Sequence, residues 1–215
     1  YSKNKAAIKD INQKGFGFFA SHSNEGIVRG TGLLVSANGD NLSSDILSPQ
    51  IASYYSLNKG NSKQSYPSSQ MGSIALLRQS FYDFQYYTKS DLNFTDLSME
   101  AWKSQMHLPR FFQTADKLEI LRASKIANEF NSSFIYLGSG NEYEAIDPLK
   151  KINPKIVVPI NFPEAYDVSD PYISRLIPLS KLKHWELAPF NFKILKENNI
   201  EVAISSSGIK STDQF

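Results

Sequence analysis

The second half of the chain most constrains what it can fold into. From Arg110 onward, short apolar runs alternate with segments of helical period: RFFQTA (110–115), FIYLG (134–138), KIVVPINF (155–162) and EVAIS (201–205). After the first run, Asp116 stands as an N-cap with Glu119 at capping-box spacing, and Ile120, Ala123, Ala127 and Phe130 fall on one helical face. Asp147-Pro148 reads as an N-cap followed by a proline suited to a first helical turn, and Pro189 to Asn199 as a helix leading into Val202–Ile204. Strands and helices in this alternation imply parallel βα units with right-handed crossovers. The expected fold class is therefore α/β: a partial (β/α)8 TIM-barrel-like domain, parallel strands with flanking helices. An open doubly wound sheet is the alternative.

The first half has a different texture. Residues 2–13 read as a helix closed by Gly15, then FGFFA (16–20) and IVRGTGLLVSA (27–37) as strands. NGDNLSSDILSPQ (38–50) has turn chemistry, and IASYYSL (51–57) is another strand. The polar stretch 58–69 is the expected internal boundary or insertion. Beyond it, Ser68 or Ser69 caps a long helix with Ile74, Leu77, Phe81 and Phe84 on one face, and a second helix near 97–106 carries Trp102. The run FYDFQYY is core plus flank. We therefore expect one barrel fragment over residues 1–215: a strand-rich part (1–60), a helix pair (68–106) and regular βα units (110–215). With 215 residues and six or seven strands, the chain is short for eight βα units, which take about 250 residues.

Composition excludes several classes. Lys and Arg number 23 against 21 Asp and Glu, with no basic block, so no nucleic-acid partner is expected. No apolar run reaches the roughly 18–20 residues that span a bilayer. With no cysteine, disulfides, thiolate catalysis and Cys-based zinc sites are excluded. The histidines His22, His107 and His184 are too far apart for a local helical metal motif. The start at Tyr1 suggests a processed product or an internal piece of a longer protein. A periplasmic or cell-envelope location is expected, with the cytoplasm as the alternative.

Candidate chemistry sits at strand ends. GSGNEY (138–143) is a tight βα turn with a phosphate-binding alternative, although it lacks the G-x-G-x-x-G spacing. Without a G-x-S-x-G elbow, Ser139 and Ser205–Ser207 read as turn residues. Glu142 with Glu144, and Glu164 with Asp167, are paired carboxylates to weigh for acid–base work, and Asn161 shares the second loop. His184-Trp185-Glu186 either lines a pocket or forms a buried, hydrogen-bonded cluster.

Taken in order, GIVRGTG, YPSSQMGSIALLRQSFYD, LPRFFQTADKLEILRASKIANEF, VVPINFP and HWELAPFN with ILKENNIEVAI resemble the amidohydrolase superfamily, specifically its imidazolonepropionase-like branch in large multi-module bacterial proteins. The resemblance implies a barrel hydrolysing C–N bonds of cyclic or small amides with Zn or Mn, and an H-x-H strand upstream. It also implies a metal-binding His where Gln113 stands, another at Leu137-Gly138-Ser139, and a metal-binding Asp where Ser207 stands. None is present. The expectation is a module without a metal or other cofactor, structural or binding in role beside an active domain. Its cleft candidates are Arg29, Gln113, Asn141, Glu142, Asn161, His184 and Glu186. Expected partners are the rest of the same polypeptide or a second copy, and a small-molecule ligand. Two alternatives stand: a working hydrolase completed from outside or by His184, Glu186 or Asp167, and an envelope solute-binding module.

Overall fold

The computed structural model describes residues 5–13, 15–37, 45–90 and 93–207. They divide into two compact units, one of residues up to Gln113 with Glu129–Ser132, the other of Thr114–Asn128 with residues from Ser133 on.

In the first unit, helix α1 (Lys5–Gln13) precedes strands β1 (Phe18–Ser21), β2 (Val28–Ser36) and β3 (Ile46–Ser56). These strands pair antiparallel in chain order, and β4 (Arg110–Gln113) adds to β3 in parallel. β3 begins earlier than its composition suggested. Residues 46–50 are strand, not turn, while 38–44 lie outside the described residues. The β2–β3 register shifts between Gly32 and Leu34, opposite Pro49. A proline lacks the N–H a regular ladder needs but fits such an irregularity.

Ser69 caps α2 (Gln70–Lys89), its Oγ accepting from Gly72 N at 3.2 Å. The α2 face of Leu77, Phe81 and Phe84 is buried, with Ile74 only half-buried beside it. Trp102 of α3 (Leu97–Ser104) lies 5.1 Å from the Phe81 ring and 5.5 Å from Phe84. Phe130 stacks on Phe81 at 4.8 Å. Burying these rings on Tyr55 and Phe112 gives the unit its apolar core. The 58–69 loop belongs inside this unit, tied down by Gly26 N donating to Lys59 O at 2.9 Å and by the Glu25–Gly60 bridge. The division of the chain falls instead at Gln113.

The second unit follows the βα rhythm: α4 (Lys117–Glu129), β5 (Ile135–Leu137), α5 (Ile146–Ile152), β6 (Lys155–Pro159), α6 (Pro171–Leu176), α7 (Leu179–Leu187), α8 (Asn191–Glu197) and β7 (Glu201–Ser205). β5, β6 and β7 run parallel, as the alternation implied. Ile120, Ile126, Leu149, Ile156, Leu195 and Ile200 form its core. The expected cap at Asp116 is present: its Oδ1 accepts from Glu119 N at 2.8 Å, and Glu119 Oε2 accepts from Ala115 N at 2.7 Å. Asp147 does not cap α5. A 3-10 turn (Glu142–Ala145) leads directly into the helix, so Asp147 lies in its first turn and Ala145 holds the cap position. The third strand stops at Pro159, and α6 and α7 fill a stretch where no helix had been read.

Candidate functional site

At the end of β4 in the first unit, Gln113 is exposed and Arg29, from β2, is 8% exposed. Arg29 Nη1 donates to Gln113 Oε1 and, at 3.3 Å, to Asn24 Oδ1. Its Nε donates to Gly26 O at 3.2 Å and Nη2 to Asn58 O at 3.0 Å. All four acceptors are neutral oxygens, and burial lowers the guanidinium's pKa. Two of the expected cleft residues therefore meet directly. His22 stacks on Tyr54 nearby in the same unit, ring centres 3.8 Å apart. Its Nδ1 lies 2.9 Å from Ser23 O, so that nitrogen carries the proton.

The second unit gathers a larger network around the turn after β5. Glu142 is fully buried, its carboxylate accepting from Ser139 N at 2.5 Å, Gly140 N at 3.1 and 3.2 Å, and Asn191 Nδ2 at 2.7 Å. Asn191 Oδ1 in turn accepts from Tyr143 N at 2.9 Å. Asn141 Oδ1 accepts from Lys117 N at 3.1 Å and from Ser139 Oγ at 2.8 Å, tying the turn to the start of α4. Glu144 pairs with Lys117, and Tyr143 Oη stands 3.2 Å from Glu144 Oε1 and 3.0 Å from His184 Nδ1. The hydroxyl has one hydrogen, so donating to Glu144 requires it to accept from His184 Nδ1–H. Desolvation raises the Tyr143 pKa.

The remaining candidates stand apart. Trp185 and Glu186 are exposed, so His184-Trp185-Glu186 is not a buried cluster; on α7, residues two apart point different ways. Asn161 and Glu164 are exposed on the loop after β6. Asp167 accepts from Ser169 Oγ at 2.6 Å and Ser169 N at 3.0 Å, and these bonds hold its carboxyl below the usual range. It is a turn residue. Ser207 is exposed, its N–H donating to Ser205 Oγ at 3.1 Å, and His107 is exposed just past α3. Reading the sequence did not pick out Lys117, Tyr143 or Asn191. Only Asn191 carried a signal, a polar residue opening a helix beside an apolar strand.

The described residues do not fit a divalent metal. Among the described residues, no three His, Asp or Glu side chains gather into a group able to hold one. A guanidinium abuts Gln113, which repels a cation there. At Gly138 an added Cβ would stand 2.6 Å from Glu142 Oε1, so that space is already filled.

No family model and no curated protein matches the chain. Among solved structures, an amidohydrolase from Thermotoga maritima is similar, with a TM-score of 0.71 and 18% identity. The match covers 97% of this chain and 55% of that one, so the chain spans about half the length of the structure it resembles. At that identity the likeness shows the fold alone. The fold is amidohydrolase-like: a partial α/β, TIM-barrel-like domain with flanking helices. Among the described residues no helix is long and apolar enough to cross a membrane.

Proposed function

We propose that this chain belongs to the imidazolonepropionase-like branch of the amidohydrolases, with its metal positions vacated and a binding or structural role beside an active domain. The observation that carries this reading is the buried Arg29 guanidinium held on Gln113 at the end of β4. A fixed cation at that strand end opposes a divalent metal and favours an anionic or amide oxygen. The exposed Gln113 amide nitrogen, which donates to no described residue, supports a small amide- or carboxylate-bearing ligand. Glu142 filling the space beside Gly138 supports the same loss at a second position.

Elemental analysis after incubation with Zn²⁺ and Mn²⁺ tests the reading. No bound metal is expected. One tightly held metal per chain, lost on His184→Ala or Glu186→Ala, would overturn it in favour of a working hydrolase. A structural role is supported by α7, none of whose side chains is buried, and by Tyr172 and Leu176 of α6, each 80% exposed. Such apolar surface is ordinarily covered. The proposed cover is the rest of the barrel, from the same polypeptide or a second copy, and a stable monomer by light scattering would contradict it.

A further inference from the structure

We propose that the first unit carries a second binding site, for a small organic cation, in the recess between α2 and α3. The recess has a volume of about 240 Å³ and is lined by Asp83, Tyr86, Tyr87, Phe94, Asp96 and Met99. Two carboxylates and three aromatic rings meet there, and among the described residues no Lys, Arg or His lines it.

Each carboxylate has spare capacity. Asp96 uses Oδ1 alone to cap α3, accepting from Ser98 N at 2.8 Å and Met99 N at 3.1 Å. Asp83 uses Oδ1 alone, accepting from Gln79 Nε2 at 2.7 Å. The second oxygen of each accepts nothing from the described residues. Tyr86 and Phe94 are 65% and 61% exposed, which leaves ring surface at the recess open to a ligand.

The chemistry selects the ligand class. No metal-holding group of three acidic or histidine side chains exists among the described residues. Aromatic rings and a thioether beside carboxylates instead suit an alkylated ammonium, whose spread charge is attracted to ring faces and whose methyl groups pack on Met99. This site is independent of the strand-end chemistry around Gln113.

The test compares choline with its neutral isostere 3,3-dimethyl-1-butanol on the whole chain, followed by NMR of ¹³C-methyl methionine. Of the three methionines, Met71, Met99 and Met106, only Met99 should shift on titration. Choline should bind about tenfold more tightly than the alcohol, the size of a modest cation–π and charge preference. Asp83→Asn and Tyr86→Leu, both at exposed positions, should each weaken choline severalfold and leave the melting temperature unchanged. Equal binding of the two probes would show a merely apolar crevice and overturn the proposal. So would a silent Met99 at high millimolar choline, or shifts spread over all three methionines. The Met99 readout on the unmutated chain decides the matter even if a variant fails to fold.

Discussion

Arg29 in the first unit and Glu142 in the second are both more than nine-tenths buried, and both are surrounded by neutral partners. Arg29 is met by oxygens of Asn24 and Gly26 just before it in the chain, of Asn58 29 residues on and of Gln113 in β4, 84 residues on. Glu142 is met by donors from its own turn, Ser139 and Gly140, and by Asn191. Burying a charge without a counter-ion is costly unless dipoles replace its water. The two regions meet that requirement in different proportions. Half of the Arg29 acceptors come from distant segments, whereas Glu142 is held mainly by its own turn, with Asn191 the one distant donor. Arg29 should therefore matter through the loops it ties together, and Glu142 through the donors it satisfies.

The largest expected effect breaks the second region. Glu142→Ala strands Ser139 N, Gly140 N and Asn191 Nδ2 in a buried turn, and should cost about 3–5 kcal/mol in denaturant unfolding. A loss below about 1 kcal/mol would mean that water enters the turn and replaces the carboxylate. Arg29→Ala should cost somewhat less, about 2–3 kcal/mol, because two of its acceptors are backbone carbonyls near solvent-exposed loops. Arg29→Lys should recover only a minor part, since one ammonium cannot reach four separated oxygens; full recovery would refute the fork-like role. Gly138→Ala should cost about 1–3 kcal/mol through its clash with Glu142, and clearly less in a Glu142→Ala background. Strict additivity in that cycle would show that the two positions do not compete for space.

The smallest effect is a control in which the two units should behave alike. Burial raises the hydroxyl pKa of both Tyr55, in the first unit, and Tyr136, in the second. Both stay neutral in the folded state while the unfolded chain ionises above about pH 10. The stability they contribute is present in full below that pH and falls as pH rises towards the folded values. For Tyr136 the loss is on the order of 1 kcal/mol between about pH 10 and 11, and Tyr55 adds to it in the same direction. Thermal melts that stay flat over that range would contradict it.

Much of the second unit was legible because its signals are local. Asp116 and Glu119 are three residues apart, and β5, β6 and β7 are apolar runs bounded by turns. Asp147-Pro148 misled for a physical reason: the 3-10 turn at Glu142–Ala145 already begins the helix, so the usual cap signal sits one turn late. The start of β3 was hidden because Pro49 and the polar residues before it mimic a turn, and only pairing with β2 makes them strand. Arg29–Gln113 spans 84 positions and His184–Tyr143 spans 41, separations over which spacing carries no information. Both Arg29 and Gln113 could be chosen as candidates, but not as partners.

The packing of Glu142 against Gly138 also sets the order in which this turn can evolve. Any side chain placed at position 138 meets Glu142 Oε1 at 2.6 Å before it meets anything else. Removing Glu142 first orphans the turn's own N–H groups. Each substitution alone lowers stability, so a larger residue at 138 is reached through a less stable intermediate or as a double change with position 142.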